Sequence, residues 1–223
     1  LDSVDTPLNN RHWWKKQFAE LRQASDELVR LDKIEKLLHR TDPGPGGFYD
    51  DLGNPGRQPH LAGVLPWEQD PAYYKSPHSS SLALGATAGA RSVDAIRPDG
   101  AAQFLNYPVE WWSFEGTRFE CPLRMRYRDL DRKHPYKLRV VYLSRRPDEA
   151  RIRLVANDKI EIHPYLKKPP MFSEMEFDIP PQATANGELR LAWQPEPGGG
   201  GTGAGPMISE VFLIPRVLAP SSR

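Results

Sequence analysis

Between residues 123 and 213, apolar side chains alternate with polar or charged ones in six short runs, and this period of two limits the possible folds more than any other feature. Each run has the length of a strand and is bounded by Asp, Asn, Gly or Pro. The apolar members are Leu123, Met125, Tyr127; Leu138, Val140, Tyr142; Ile152, Leu154, Ala156; Met175, Phe177, Ile179; Leu189, Leu191, Trp193; and Ile208, Val211, Leu213. Short strands without intervening helices predict an antiparallel β-sandwich with one face of each sheet in the core. A bulge is expected near Ser209 in the last strand.

The part of the chain before these strands has a different character. Residues 1–42 carry apolar side chains at helical spacing, first Trp14, Phe18 and Leu21 and then a second set from Leu28 to Leu38, which predicts an α-hairpin or one kinked helix. The run of Pro and Gly after Asp42 ends the helical pattern. Residues 43–110 show no sustained period and hold many of the 23 prolines and 17 glycines of the chain.

Four parts follow from these patterns. They are a helical hairpin at 1–42, an irregular Pro/Gly-rich connecting segment at 43–110, a β-sandwich domain at 111–217 and a tail at 218–223. The aromatic residues spread through the connecting segment predict an ordered loop that lies over another surface. The opening sequence LDSVDTPLNN is typical of a connection between domains, so we expect the chain to be a fragment of a larger polypeptide.

The order of the runs PLRMRYRDLD, YKLRVVYL, IRLVANDKIEIHP, MEFDIPPQAT, GELRLAWQPEPGGGG and SEVFLI resembles the galactose-binding-like jelly roll, a class of carbohydrate-binding module. Such modules are appended to many bacterial multi-domain glycoside hydrolases and to related uncharacterised proteins. The segment GGFYDDLGNPGRQPHL resembles a stretch that precedes this module in such proteins, so the likeness covers roughly residues 44–60 and 111–214. The resemblance implies a carbohydrate setting and, through association with exported polysaccharide-degrading systems, a secreted or periplasmic location. The loop GGGGTGAGPM departs from the more polar loop that the resemblance predicts there.

Aromatic side chains are the best candidates for sugar contacts, because the CH faces of a pyranose stack on aromatic rings while polar neighbours bond its hydroxyls. Adjacent residues on a strand point to opposite faces, so one of the two tryptophans before the first run is expected in the core and the other outside. Tyr165 is expected in an exposed loop after a strand, whereas Trp193 continues the inward set of Leu189 and Leu191, which favours a core role over a ligand contact. The candidate ligand-binding residues are Trp111, Trp112, His163, Tyr165, Lys167 and Trp193.

One pair of residues in the sequence could bind a metal ion. Asp50 and Asp51 lie in a Gly-rich turn and are the candidate ligands of a structural calcium ion, since hard oxygen ligands in irregular backbone suit Ca²⁺. The alternative is that both carboxylates cap turns through their own backbone. No two of the six histidines are spaced i, i+4 on a helix and the chain has a single cysteine, so a zinc site is not predicted.

Charge gives little indication of a partner, because the net charge of the chain is +1. Residues 124–146 hold nine Lys or Arg and two Asp, a local net charge of +7. The alternating pattern places these cations on the outer face of strands, opposite Glu174, Glu176 and Asp178, where cross-strand ion pairs account for them. We therefore expect no nucleic-acid partner. The apolar runs are too short to cross a bilayer, so no membrane span is expected.

The motifs of common enzymes are missing from the sequence. The glycine run from Gly198 lacks the Lys and Ser/Thr of a phosphate loop, and Ser79–Ser81 lacks the G-x-S-x-G elbow. We expect a non-catalytic accessory module that binds carbohydrate weakly, packs against neighbouring domains of the same polypeptide, or does both. One alternative is a purely structural protein-interaction domain with an apolar strip along Trp13, Trp14 and Trp67. A less favoured alternative is an uncharacterised hydrolase with two facing carboxylates.

Overall fold

The computed structural model describes residues 11–52, 57–62, 115–118, 122–144, 151–167, 171–198 and 204–216. This part of the chain is mainly β, with antiparallel strands and a few short helices, as the alternating pattern predicts. The helices are α1 (Arg11–Gln23), α2 (Glu27–Leu38) and α3 (Pro181–Thr184). The strands are β1 (Phe48–Asp51), β2 (Glu115–Arg118), β3 (Leu123–Tyr127), β4 (Tyr136–Ser144), β5 (Arg151–Ala156), β6 (Ile160–Lys167), β7 (Met171–Ile179), β8 (Leu189–Pro195) and β9 (Ala204–Pro215).

The strands form two sheets. The first sheet has the order β1-β9-β4-β7, and the second has the order β3-β8-β5-β6. Strand β9 is long enough to pair with two short strands in succession, with β2 along its first half and with β1 along residues 210–213. Every pairing is antiparallel, and neighbours in a sheet are mostly distant in sequence. The chain therefore passes repeatedly between the two sheets.

The core consists largely of the residues that the alternation assigns to the inner faces. In β3 the buried and exposed positions alternate strictly, and Trp193 of β8 is fully buried. Met175 and Phe177 of the edge strand β7 are partly buried against the same core. The predicted bulge is confirmed: β4 pairs Val141 with Glu210 but Tyr142 with Ile208, so Ser209 is the extra residue.

Charged side chains on the outer face of the first sheet pair across strands, as predicted. Lys137 Nζ lies 2.8 Å from Glu176 Oε2, and Arg139 Nη1 lies 3.4 Å from Glu174 Oε1. These pairs are partly exposed, so each stabilises the fold by no more than about 1 kcal/mol. The prediction was wrong for Arg124 and Arg126, which lie on β3 in the second sheet, away from these acids, where Arg126 pairs with Glu188.

The helical region consists of two helices joined by three residues. Asp26 caps α2, because its side chain accepts hydrogen bonds from the backbone N–H groups of Leu28 and Val29. An ion pair of 3.6 Å between Glu20 and Lys33 links the two helices. No residue of α2 is buried, and Leu28 and Leu38 are each 76% exposed. Within the described residues, no helix is both long and apolar enough to cross a membrane.

One segment joins both sheets. Residues 48–51 form β1 in the first sheet, although the sequence shows no regular period there. Farther along the segment, Leu61 forms an isolated antiparallel bridge with Met125 of the second sheet. The backbone bonds Ala62 N–H to Arg124 O (2.9 Å) and Arg126 N–H to His60 O (2.8 Å) fix this contact. The segment with residues 48–52 and 57–62, called the crossing segment below, thereby covers one side of the sandwich. Residues 53–56 and 63–114 lie outside the described part.

Candidate functional site

A cleft of about 580 Å³ opens where the crossing segment meets the end of β3. One wall is apolar and comes mainly from the crossing segment, and the other carries charged side chains that follow one another along β3 and the turn after it. The lining residues are Phe48, Pro59, His60, Leu61, Ala62, Arg126, Arg128 and Asp129. The cleft therefore combines an aromatic ring and apolar surface with hydrogen-bond donors and an acceptor.

A buried carboxylate holds the imidazole of His60 in place. Asp50 is fully buried, and its two oxygens lie 3.0 and 3.1 Å from His60 Nδ1. The same carboxylate accepts hydrogen bonds from the backbone N–H of His60 and from the hydroxyl of Tyr127, each at 3.1 Å. Burial, with the charge of Asp50 as a smaller cause, raises the pKa of Tyr127 well above its usual value, so the hydroxyl stays protonated and donates.

The charged wall of the cleft contains groups of both signs. Arg126 Nη2 donates to Glu188 Oε2 at 2.8 Å, and this hydrogen bond lowers the pKa of the Glu188 carboxyl. Arg128 and Asp129 are exposed, and Asp129 has a left-handed φ of 56° in the turn that follows β3. The cleft thus offers at least one guanidinium and one carboxylate to a ligand.

Two of the predicted ligand residues lie in the core. Trp193 Nε1 donates to the hydroxyl of Tyr142 at 2.8 Å, and that hydroxyl lies 2.8 Å from His163 Nε2. His163 Nδ1 is 2.8 Å from the carbonyl of Pro164, which can only accept, so Nδ1 carries the hydrogen and Tyr142 donates to Nε2. Burial lowers the pKa of His163 and raises the pKa of Tyr142, which keeps both groups neutral. Trp193 thus has the core role that its inward set favours, and His163, a candidate ligand residue, lies in the core beside it.

The other predicted ligand residues lie elsewhere. Tyr165 is half-buried within β6, not in a loop after a strand, and the guanidinium of Arg153 stacks over its ring at 5.1 Å. A bulge between β5 and β6 turns this residue away from the core, because the pairing shifts between Ile152 and Leu154. Lys167 is exposed at the end of β6. Trp111 and Trp112 lie outside the described residues, as does Trp67.

The two candidate calcium ligands are not brought together. Asp50 and Asp51 are neighbours on β1, and their side chains point to opposite faces of the strand. Asp50 faces Tyr127 in the core, where donor groups already surround its oxygens. Among the described residues, no three His, Cys, Asp or Glu side chains are grouped as a metal site would need. Asp50 and Asp51 therefore do not form a common metal site. Calcium binding by the chain stays a prediction.

Sequence reasoning did not select His60, Phe48, Arg128 or Asp129. A usable signal was present, because a histidine follows Asp50 by ten residues in the same turn-rich segment. Asp50 and His60 can meet only if the loop between them closes. Their spacing in the sequence does not determine whether it closes.

Comparison with known proteins gives only weak likenesses. No family model matches the chain, and no curated protein matches it. Solved structures with some similarity include a family 35 carbohydrate-binding module from Clostridium thermocellum (TM-score 0.30, 10% identity, 44% of this chain and 76% of that one). Others are the GH26-CBM35 β-(1,4)-mannanase of Podospora anserina (TM-score 0.31, 10% identity, 48% of this chain and 23% of that one) and the Cry4Aa toxin of Bacillus thuringiensis (TM-score 0.32, 15% identity, 47% and 19%). At these scores the similarity carries no argument about a ligand or an activity.

Proposed function

We propose that this chain is a non-catalytic accessory module of a larger polypeptide and that it binds carbohydrate in the cleft beside His60. We further propose that its sandwich is a galactose-binding-like jelly roll. Two antiparallel sheets with a chain that passes repeatedly between them support this class. The binding proposal rests chiefly on the lining of the cleft.

The lining suits a sugar ring in two respects. The ring of Phe48 and the side chains of Pro59 and Leu61 offer apolar surface for the CH groups of a pyranose. Arg128 donates hydrogen bonds and Asp129 accepts them, and these neighbouring charged groups can bond adjacent hydroxyls of one ring. A sugar ring can therefore contact the apolar wall with its CH groups and the charged wall with its hydroxyls.

The position and hydrogen bonds of Asp50 support the proposal that the module is non-catalytic. Glycoside hydrolysis by the usual route needs two carboxyl groups about 5 to 9 Å apart across the bond that breaks. Asp50 lies behind the cleft wall and is committed to His60 and Tyr127 through hydrogen bonds. We therefore expect glycans to bind without release of smaller products.

A glycan-array screen followed by calorimetric titration tests this function. We expect binding of at least one glycan, with the affinity lowered about tenfold or more in Arg128→Ala and Asp129→Ala, because each variant removes charged hydrogen bonds to the ligand. Arg190→Ala is the matched control, since Arg190 is an exposed arginine of the second sheet that does not line the cleft. A hit that is lost in Tyr165→Ala and kept in Arg128→Ala would move the site to the face of β6. A folded chain that binds no glycan would refute the proposal.

A structural protein-interaction domain is the second candidate function. One observation favours it: α2 exposes an apolar set that includes Leu28, Leu31 and Leu38. Exposed apolar side chains in one patch are typical of protein contacts. Sedimentation of the chain across a range of concentrations tests this candidate, and association that Leu28→Lys abolishes would favour it.

A further inference from the structure

The Asp50–His60 contact fixes more than the position of the imidazole. Both oxygens of Asp50 face hydrogen-bond donors, namely the backbone N–H of His60 and the hydroxyl of Tyr127. Because both oxygens accept from these donors, the hydrogen of the contact with His60 is assigned to Nδ1, which lies 3.0 Å from Asp50 Oδ2. The free lone pair of a neutral imidazole then belongs to Nε2.

Packing holds the ring in this orientation. The imidazole stacks on the ring of Tyr127 with centroids 4.5 Å apart and planes inclined by 24°, and the ring of Phe48 meets it edge-on at 4.9 Å. The backbone carbonyl of His60 accepts a hydrogen bond from Arg126 N–H, which ties the residue to β3. A flip of the ring would keep these aromatic contacts but would break the bond from Nδ1 to Asp50, so that bond sets which edge of the ring faces Asp50.

The outer nitrogen of the ring is Nε2. The side chain of His60 is 20% exposed and lines the cleft, and its hydrogen bonds to other described side chains are made through Nδ1. Arg126 and Arg128 line the cleft together with His60. A ring nitrogen with a free lone pair thus accompanies guanidinium donors in the lining of the cleft.

We propose that His60 is a specificity-determining residue of the cleft, whose Nε2 accepts a hydrogen bond from a ligand hydroxyl. Asp50 and Tyr127 act through it as positioning residues. Because Arg128 donates and His60 accepts, the ligand class is a polyol ring with a hydroxyl that donates to Nε2 and a neighbouring oxygen that accepts from Arg128. This inference rests on the proposed function, and it adds the requirement for a hydroxyl hydrogen at one position.

The first arm of the test measures, without any ligand, which ring nitrogen of His60 carries hydrogen. Long-range ¹H–¹⁵N NMR spectra of the full chain distinguish the two neutral tautomers and the imidazolium, and we expect His60 to show hydrogen on Nδ1 alone. In Asp50→Asn the side-chain amide can donate to Nδ1, so the hydrogen moves to Nε2 and the acceptor in the cleft is lost. A wild-type spectrum with hydrogen on Nε2 overturns the inference, whether or not sugars bind.

The second arm measures binding of the methyl glycosides of glucose, galactose and mannose and of their mono-O-methyl derivatives. An ether oxygen accepts but cannot donate, so methylation of the hydroxyl that meets Nε2 should weaken binding to the wild-type chain about tenfold. The Asp50→Asn variant should bind the parent glycoside more weakly by a similar factor. It should bind the parent glycoside and the O-methyl derivative with equal affinity. The O-methyl series on the wild-type chain keeps the test decisive if Asp50→Asn does not fold.

The outcomes separate the two proposals. Binding of a parent glycoside that no single O-methylation weakens overturns the role of His60 and leaves the proposed function in place. Failure of all three parent glycosides to bind, in a chain whose NMR spectrum shows the expected tautomer, overturns the ligand class. The proposed function is overturned as well if the glycan array is also blank.

Discussion

The guanidinium of Arg40 reaches a buried carboxylate 170 positions away in the chain: Nη2 lies 2.9 Å and Nη1 3.1 Å from Glu210 Oε1. The hydroxyl of Tyr49 donates to the same oxygen at 2.7 Å, and the ring of Trp13 lies 5.3 Å from the guanidinium of Arg40. Arg40 comes after His39, the C-cap of α2, whereas Glu210 belongs to β9 in the first sheet. This residue therefore connects the helical region to the sandwich.

Removal of Arg40 is expected to destabilise the chain strongly. Glu210 is fully buried, and Arg40→Ala would remove a guanidinium that contacts its carboxylate, which costs about 3–5 kcal/mol of unfolding free energy. Burial and the charge of Glu210 raise the pKa of Tyr49, so its hydroxyl stays protonated and donates to Glu210, but it supplies no positive charge in place of the guanidinium. Urea unfolding at neutral pH measures the change.

Lys36→Ala provides the control for this prediction. Lys36 pairs with Asp32 at 2.7 Å, but both side chains are exposed on α2, so the loss should be within about 0.5 kcal/mol. Equal effects of the two substitutions would show that the contact between Arg40 and Glu210 does not stabilise the fold.

The buried His163 is expected to make stability depend on pH. Burial lowers the pKa of His163 in the folded chain below the value of about 6.5 that it has when unfolded. Between these two pKa values the unfolded chain binds more protons than the folded chain, so the free energy of unfolding rises with pH there. Stability should accordingly fall as the pH drops below about 6.5, by at most about 1.4 kcal/mol per pH unit from this group.

Comparison with His163→Gln isolates that contribution. The variant should lose the extra slope below pH 6.5, because no titrating group then faces Tyr142 at this place. His39→Gln is the matched control, since the side chain of His39 is 64% exposed. A wild-type curve of unfolding free energy against pH that runs parallel to the curve of His163→Gln would contradict the prediction.

Two leucines of opposite exposure test where the core lies. Leu138 of β4 is fully buried, and Leu138→Ala should cost about 2–5 kcal/mol through lost burial and the cavity that remains. Leu38 is 76% exposed at the end of α2, and Leu38→Ala should change the unfolding free energy by no more than about 0.5 kcal/mol. Urea unfolding of both variants gives the comparison, and a large loss in Leu38→Ala would show that α2 is covered in solution.

Much of the sandwich could be predicted from the sequence. The alternation in β3, the inward position of Trp193 and the bulge at Ser209 are all present in the structure. The ion pairs of Lys137 and Arg139 with β7 follow from the same pattern. These features follow from the alternation of side chains between the two faces of a strand. A run of only a few residues is enough to show that alternation.

The sequence by itself thus determined the class of structure and the inner face of most strands. Only the tertiary structure decided that β1 joins β9, that Asp50 meets His60 and Tyr127, and that His163 points inward. The reason is that these contacts join residues far apart in the chain, and their formation depends on strand order and loop closure. Local patterns of polarity assign a face to each side chain, but they do not determine which distant segment lies opposite that face.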